Sequence, residues 1–290
     1  MRHTCSLLAF ALPVAFGIST AFATTIFLDT FTDGARTNGT DPTDVAWYET
    51  IAASTTSIAN AGSSTITVGN NSLFIDTAGD FRGLVANFAE AGSGVGGTLN
   101  IGEGYTLSMD IKSVVLATNS AGIRIGLSSS AGNPYTADGV SANTGSHVGY
   151  YAAYSTSFSP AQVQPFEDNG GTTINTGTVT ALGGVVTATS FNTNLLRSVV
   201  FSVLRTSSTE TTITSTMYDG TGGTGTPLST FSVVDAASAY FNFNQVAITA
   251  GNTTLVDISM DNVKLEYVPE PRAALLGGFG MLALLRRRRH

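Results

Sequence analysis

Residues 105–115 have the sequence YTLSMDIKSVV, and the order of apolar and polar residues in this stretch decides the fold class. Leu107 and Met109 share one face of an extended chain, because successive side chains of a strand alternate. Ser108 and Asp110 share the opposite face. A period of two over this length is typical of a strand with one buried face, so the stretch predicts β-structure rather than helix.

Comparable alternation, or a short apolar run, recurs along the chain and predicts strands at residues 46–51, 64–68, 72–76, 81–88, 122–127, 147–154, 162–166, 195–204, 211–218, 228–234, 245–250 and 254–267. Clusters of turn-forming residues, such as 92–94 and 219–225, separate them. Residues 24–267, called the body below, contain no stretch with a helical period over three turns. About a dozen short strands in this arrangement predict an all-β sandwich or barrel.

The apolar face changes sides within the last predicted strand. Ile258 and Met260 have one parity, whereas Val263 has the other. An extra residue inserted into the strand would produce this change, so we expect a β-bulge at Asp261 and Asn262. A bend that divides the strand into two pieces is the alternative.

Composition and charge restrict the function. The chain has 290 residues, 42% hydrophobic and only 11% charged, which excludes a disordered chain. The body has 7 Lys or Arg against 19 Asp or Glu, a net charge of −12. Such an acidic surface argues against nucleic acid and anionic lipid and permits divalent cations and neutral sugars. The body contains no Cys, so it has no disulfides or thiolate chemistry.

Residues 1–23 are predicted to be a secretory signal peptide. Arg2 supplies the positive start, residues 7–18 form a short apolar stretch, and Ala21 and Ala23 form a small-x-small cleavage site. A buried helix or a membrane anchor is the alternative, but the apolar stretch is short for a bilayer span.

The other end of the chain contains a Pro-x-Pro motif followed by a second apolar segment. Pro269, Glu270 and Pro271 precede the apolar residues 273–285, and the chain then ends in basic residues: Arg286, Arg287, Arg288, Arg289 and His290. The segment predicts a short, marginal transmembrane helix, and the arginines predict a stop-transfer signal that stays in the cytoplasm. A nucleic-acid-binding patch is the alternative for the arginines, and the acidic body argues against it.

This tail resembles the PEP-CTERM sorting signal over residues 268–290, with the motif, the short helix and the arginine cluster in the same order. The resemblance implies that the partner is exosortase, a membrane-embedded cysteine transpeptidase-like enzyme that cuts near the motif. It also implies an inner-membrane-anchored precursor that is sorted to the surface or extracellular matrix of a Gram-negative bacterium. The expected organisation is therefore signal peptide 1–23, β-sandwich domain 24–267 and sorting segment 268–290.

The body resembles the concanavalin-A-like (laminin-G-like) jelly-roll domains. Short segments carry the resemblance: LDTF at 28–31, RGL at 82–84, GYTLSMDIK at 104–112, RSVVF at 197–201 and ISMDNVKL at 258–265. It implies an all-β jelly-roll sandwich whose closing strand pairs near the first strand, so that the two ends of the body come together.

Calcium is the inorganic ligand that the sequence favours. Asp29 and Asp33 lie near a Gly-containing loop at the start of the body, and Asp261 joins them if the ends pair. Calcium takes about six to eight oxygen ligands, chiefly carboxylates and carbonyls from loops. Ordinary turn formation by Asp and Asn is the alternative.

Sugar binding would need exposed aromatic rings beside amides and carboxylates. Trp47 and Tyr48 follow an acidic loop, and Tyr150 and Tyr151 form a second aromatic pair, so these four residues are the candidate glycan platform. The alternative is that they belong to the core, which also takes Trp and Tyr.

Catalytic motifs are weak. His147 is the single histidine of the body, with Ser146 and Asp138 nearby, but no Gly-x-Ser-x-Gly turn is present. Glu167 and Asp168 are adjacent, so a strand would point them to opposite faces. The sequence therefore predicts no catalytic centre.

We expect the protein to be a non-catalytic module that contacts exopolysaccharide. There are two alternatives, a polysaccharide-active hydrolase or lyase and a purely structural adhesive protein.

Overall fold

The computed structural model describes residues 23–32, 36, 45–50, 72–75, 82–88, 97–113, 122–139, 147–155, 161–170, 178–188, 195–250 and 258–270. Ala23–Pro269 forms one compact unit, and Glu270 is the described residue of a second unit that contains the two ends of the chain. Several sequence predictions lie outside the described residues, namely the leader up to Phe22 with Ala21, the strand 64–68, Asp33, Pro271, the tail helix 273–285 and the arginines 286–289.

The described strands, in chain order, are β1 (Thr24–Asp29), β2 (Trp47–Glu49), β3 (Leu73–Ile75), β4 (Arg82–Asn87), β5 (Gly97–Thr98), β6 (Gly104–Ser113), β7 (Gly122–Ser129), β8 (Val148–Ser155), β9 (Ala161–Asp168), β10 (Val179–Ala181), β11 (Val186–Ala188), β12 (Leu196–Arg205), β13 (Thr211–Asp219), β14 (Thr226–Asp235), β15 (Asn242–Phe243), β16 (Gln245–Ala250) and β17 (Ile258–Val268). No helix occurs within the described ranges. A helix long and apolar enough to cross a membrane is accordingly not found in them.

Two antiparallel sheets pack face to face. The first has the order β1-β17-β6-β12-β13-β14, with β3 paired to β17 beside β1. The second has the order β10-β9-β8-β7-β16-β4-β2, with β11 paired to β9. A small sheet joins β5 and β15. The protein is thus an all-β jelly-roll sandwich, which confirms the predicted fold class.

The core lies between the inner faces of the two sheets. In the first sheet one row of register partners crosses the strands, and it brings together Phe27, Leu265, Leu107 and Phe201. All four side chains are buried. Burying a side chain of this kind contributes about 1.5–3 kcal/mol, so the rows of alternate residues supply the main stabilisation.

The inner face of the second sheet completes the core. Leu84, Ile248, Ile125 and Ala152 are register partners on four neighbouring strands, and none of them is exposed to solvent. The residues between them in each strand point away from the core, because side chains alternate. The same strand register therefore determines which residues lie on the outer face of the second sheet.

The first and last strands of the body pair, as the resemblance to the jelly-roll domains implied. β1 lies beside β17, with Thr24 opposite Tyr267 and Asp29 opposite Val263. The predicted bulge is also confirmed, because the register of β17 on β6 shifts between Asp261 and Lys264. Asn262 has a φ of 51°, a left-handed conformation that Asn tolerates better than most residues.

Replacing Phe201 with Ala is expected to lower the free energy of unfolding by about 3–5 kcal/mol, since it leaves a cavity in the centre of the core. Leu204→Ala in the same strand is the matched control, because Leu204 is 37% exposed, and we expect it to change stability by about 0.5 kcal/mol or less. Urea denaturation followed by tryptophan fluorescence would measure both. Equal destabilisation by the two variants would contradict this arrangement of the core.

Candidate functional site

The outer face of the second sheet brings aromatic and polar side chains together. Register pairs Gly126 of β7 with Tyr151 of β8, and Tyr151 with Phe166 of β9. Two residues before Gly126 on β7, Arg124 lies opposite Ala153 of β8. Because the interleaved inner residues of these strands belong to the core, Arg124, Tyr151 and Phe166 must lie on the side away from it.

One end of this face is covered by the segment that follows β7. Tyr135 packs on Val85 and Ala247, with Tyr48 against the same cluster. The side chain of Asn87 donates to the carbonyl of Tyr135 over 2.7 Å. The strands β4 and β16 are therefore covered at this end, and among the described residues the partly exposed Arg124 of β7 and Phe166 of β9 lie beyond this cover.

An ion pair and backbone hydrogen bonds hold the covering segment against β2. The Arg36 guanidinium donates twice to the Asp138 carboxylate, over 2.7 and 2.5 Å. The backbone N–H of Glu49 donates to the same carboxylate over 2.9 Å, and Gly139 donates back to the carbonyl of Glu49. The hydrogen bond from Arg36 is the main reason that the pKa of Asp138 lies below its usual range. A bidentate, charge-assisted pair of this kind fixes the segment against β2.

Beyond this cover, an arginine lies over the ring of Tyr151, which in turn stacks on Phe166. The rings of Tyr151 and Phe166 stack with centroids 5.2 Å apart and an interplanar angle of 15°. The Arg124 guanidinium carbon lies 5.7 Å from the centroid of Tyr151, within cation–π range. Tyr151 is buried, whereas Arg124 and Phe166 are partly exposed.

The electrostatics of this end follow from burial. Burial lowers the pKa of the Arg124 guanidinium, which nevertheless remains protonated because an arginine does not lose its proton in proteins. Burial also raises the pKa of the Tyr151 phenol to about 12, so the phenol stays neutral. This part of the outer face thus combines the cation of Arg124 with the neutral, buried ring of Tyr151.

Amide groups flank this cation. Gln164 pairs in register with Ala153, and Gln162 lies two residues further along the same face of β9. Both glutamines are partly exposed. We call Arg124, Gln162, Gln164 and Phe166 the outer patch. It combines donors, acceptors and an aromatic surface, which is what polar recognition of a sugar requires.

The predicted glycan platform is not assembled on one surface, and this expectation is corrected. Trp47 is fully buried, and its indole N–H donates to Asp29 over 2.8 Å. Tyr150 lies on the inner face and donates to Asp235 over 2.7 Å. Tyr48 and Tyr151 lie on the outer face, but on strands separated by β4, β16 and β7. Trp47 and Tyr150 therefore belong to the core, which was the alternative reading of the sequence.

Phe166 was missed by the sequence analysis as a site residue. The sequence did place Phe166 on the same face as Gln162 and Gln164, because the three residues are spaced by two in a predicted strand. Its role depends on Tyr151, which only strand pairing places beside it.

The predicted calcium ligands are separated by the first sheet. Asp29 pairs with Val263 on the core side, where its carboxylate accepts from Trp47 and from the backbone N–H of Phe31 over 2.8 Å. Asp261 pairs with Asp110 on the opposite side of the sheet. The described residues contain no group of three or more His, Cys, Asp or Glu that could hold a metal. Asp29 and Asp261 thus do not share a site.

The candidate catalytic groups have structural partners. His147 is buried, and its Nε2 lies 2.9 Å from the carbonyl oxygen of Asn133, which fits an Nε2–H donor. Asp138, the acid nearest to His147 in sequence, binds Arg36 instead. The geometry therefore gives no support to a Ser-His-Asp system within the described residues.

Two other carboxylates lie close together in the interior. Glu167 accepts from the Ser238 hydroxyl over 2.6 Å, and Asp235 accepts from the backbone N–H of Ala237 over 3.0 Å as well as from Tyr150. Burial, and then the charge of Asp235, raise the pKa of Glu167. Both acids are buried, so they fasten β9 to the turn after β14 rather than face a substrate.

No protein-family model matches the chain, and no curated protein sequence matches it. Several solved structures are similar to it. The carbohydrate recognition domain of Emp47p is similar at 7% identity and a TM-score of 0.47, over 86% of this chain and 97% of that chain.

Two further solved structures are also similar to this chain. The exoplasmic/lumenal domain of VIP36, in a Ca2+/Man3GlcNAc-bound form, is similar at 9% identity and a TM-score of 0.46, over 80% of this chain and 86% of that chain. A legume lectin-like domain from Entamoeba histolytica is similar at 8% identity and a TM-score of 0.42, over 70% and 86% of the two chains. At these identities no residue-by-residue correspondence follows.

Stability is expected to fall as the pH is lowered from 7.5 to 5.5. Burial lowers the pKa of His147 below that of an unfolded histidine, which is about 6.5. Between these two pKa values the unfolded chain binds the proton and the folded chain does not, so acid favours unfolding. His147→Gln keeps a side-chain N–H donor and should reduce this pH dependence in thermal melts.

His290→Gln is the matched control, since it removes a histidine of the tail and should keep the wild-type slope. The raised pKa of Glu167 acts in the opposite sense, but it is common to all variants and cancels in the comparison. An unchanged slope in His147→Gln would show that His147 does not set the pH response.

Proposed function

We propose that this protein is an exported, non-catalytic surface or matrix protein whose β-sandwich contacts polysaccharide through the outer patch. The observation that carries the proposal is the row of Arg124, Tyr151 and Phe166, with Tyr151 in contact with both neighbours and two glutamine amides on the same face. Phe166, held in place by the buried Tyr151, supplies an apolar surface for a sugar ring, while guanidinium and amide groups bind hydroxyls.

The shape of the outer patch favours a polymer over a small ligand. Neighbouring strands lie about 4.8 Å apart, so β7 to β9 provide a width of roughly 10 Å. Gln162 and Phe166 are four residues apart on β9, which adds roughly 13 Å along the strand. An open surface of this size accommodates a short run of sugars within a longer chain.

Charge favours a neutral glycan. The body has a net charge of −12, which repels polyanions at long range. Arg124 is the one cation of the outer patch, and both the Tyr151 ring and the negative charge of Asp168 interact with it. We therefore expect binding to persist at moderate salt, because hydrogen bonding and stacking rather than ion pairing supply the affinity.

A binding role is favoured over hydrolysis by the positions of the acids. Glycoside hydrolysis needs two carboxylates on either side of the sugar bond, about 5–5.5 Å apart for retention or about 6.5–9.5 Å apart for inversion. Glu167, Asp235 and Asp138 are each engaged in hydrogen bonds that hold the sandwich together. Asp168 is the carboxylate on the same face of β9 as the outer patch, but it is buried and accepts from the backbone N–H of Gly170 over 3.1 Å, so the patch suits recognition better than hydrolysis.

Arg124→Ala and Gln164→Ala are each expected to weaken glycan binding at least tenfold, which corresponds to about 1.4 kcal/mol, because each removes hydrogen-bond donors from the patch. The control is Val234→Ala, since Val234 is 52% exposed on β14 in the other sheet. A glycan array, followed by titration calorimetry on the best binder, gives the affinities.

The same samples distinguish the alternatives. Release of reducing ends from a bound polysaccharide would support a hydrolase and overturn the non-catalytic assignment. Unchanged affinity in both patch variants would place the binding surface elsewhere. Absence of any glycan binding by the wild-type protein would favour a purely structural, adhesive role.

We infer further that the tail sorts the protein. The support is the order of Pro269, Glu270 and Pro271, the apolar residues 273–285 and the terminal arginines, together with the predicted leader. Pro269 directly follows β17 and is partly exposed, so the motif begins where the sandwich ends. Exosortase is the proposed partner. The proposed route is export, brief anchoring in the inner membrane, and delivery to the surface or matrix.

Replacing Pro269, Glu270 and Pro271 together with Ala is expected to leave an uncut precursor in the membrane fraction, because proline no longer keeps the motif extended. Cell fractionation and mass spectrometry of the C-terminus would measure this. A triple Ala replacement of Ser207, Ser208 and Thr209, in the turn between β12 and β13, is the control and should be processed normally. Normal processing of the motif variant would refute the sorting role.

A further inference from the structure

The strand β14 is an open edge of the first sheet. It ends the strand order of that sheet, and among the described residues its backbone hydrogen bonds go to β13 alone. In an antiparallel pair every second residue directs its N–H and C=O away from the partner strand. The 10 residues of β14 therefore present a row of backbone donors and acceptors along one side.

This edge lacks the features that usually prevent two sheets from pairing, namely charged side chains, proline and bulges along the strand. Pro227 lies at the start of β14, and the register shift relative to β13 lies between Pro227 and Ser229. At the other end Asp235 is buried. The residues between, 229–234, have neither charge nor proline and pair regularly with β13. This part of the edge is thus suited to accept another strand.

The edge of the second sheet lies on the same flank of the sandwich. β10 and β11 both pair with β9, and β9 and β11 contact β14. A methyl group on Gly183, between β10 and β11, would lie 3.4 Å from the Val233 side chain of β14. The pairing with β9 is interrupted between Leu182 and Val186, where Gly183 has a φ of 74°. This interruption blunts the edge of the second sheet, so β14 is the unbroken edge of the flank.

We call residues 178–188 and 226–234 the edge flank, and this surface is uncharged and partly apolar. Neither segment contains Asp, Glu, Lys or Arg. Val179, Val185 and Val234 are 38%, 48% and 52% exposed. Because the body has a net charge of −12, two copies of the chain repel each other when they approach through their acidic surfaces. The edge flank allows approach with little repulsion and removes exposed apolar side chains from water.

The size of the edge flank is sufficient for a specific interface. A strand as long as β14 spans roughly 33 Å, and two packed sheets with their outer side chains are roughly 20 Å thick. A flank of these dimensions covers roughly 600 Å² on each copy, hence roughly 1,200 Å² for two copies, against the minimum of about 1,000 Å² expected of a specific interface. The ladder of backbone hydrogen bonds between the two edges adds to this contact.

We propose that β14 pairs with β14 of a second copy of this chain, so that the two first sheets join into one continuous antiparallel sheet. A strand that pairs antiparallel with its own copy lies on a twofold axis, and this contact is closed. It therefore produces a dimer rather than a fibre. The pairing satisfies the outward backbone groups of β14 and brings the two edge flanks together. It does not use the outer patch, which lies on the outer face of the second sheet, so it is independent of glycan binding.

Size-exclusion chromatography with light scattering, on the full chain in mild detergent over a range of concentrations, tests the proposal. The wild-type protein mass should rise from that of one chain to that of two. Thr230 is exposed in the middle of β14, so Thr230→Lys places two like charges close to the twofold axis and should raise the dimer dissociation constant roughly tenfold or more. Thr106→Lys is the matched control, because Thr106 is partly exposed on β6, three strands from this edge, and should keep the dimer.

Hydrogen exchange at low and high protein concentration tests the strand pairing itself. Amides of residues 228–234 should exchange more slowly at high concentration in the wild type and in Thr106→Lys, but not in Thr230→Lys. Ser232→Lys, on the same face of β14, is the second variant if Thr230→Lys does not fold. A wild-type chain that stays monomeric, or a dimer that survives both lysine substitutions in β14, would overturn the proposal. A dimer lost in Val185→Lys but kept in Thr230→Lys would assign the contact to the second sheet and overturn it as well.

Discussion

The closing strand β17 is held between β1 and β6, and the rest of the sandwich depends on this pairing. It joins residues from the two ends of the body to the long central strand, with Leu265 opposite both Phe27 and Leu107. The bulge at Asp261 and Asn262 lets one strand keep apolar residues toward the core on both sides of a parity change. Without this extra residue, half of β17 would turn its apolar side chains to the outer face.

Neighbouring residues of one strand have opposite roles in this sandwich. Tyr150 faces the core, where its hydroxyl donates to Asp235 and accepts from the backbone N–H of Tyr240 over 2.7 Å. Tyr151 faces outward and stacks on Phe166 beneath Arg124. The core therefore contains a polar network around Tyr150, while the outer face carries the partly exposed Phe166 and Arg124 on either side of the buried Tyr151. The same alternation places Asp110 outside and Ile111 inside on β6.

Most long strands could be predicted from the sequence, because alternation over eight or more residues leaves little ambiguity. The strands that were missed, β1, β5, β10, β11 and β15, are short or lie at edges, and β10 has three exposed residues, so little apolar periodicity marks them. The candidate site was harder to predict. Trp47 was predicted to belong to the glycan platform, but its indole N–H donates to the buried Asp29 instead.

The sequence by itself determined the all-β class, the period of each long strand and the position of the bulge, because each of these depends only on the order of residues along one strand. Tertiary structure decided which faces are covered and which strands are neighbours. Only pairing places Phe166 beside Tyr151 and Asp110 opposite Asp261. The physical reason is that alternation fixes the two faces of a strand, whereas burial of a face depends on the sheet or turn that packs against it.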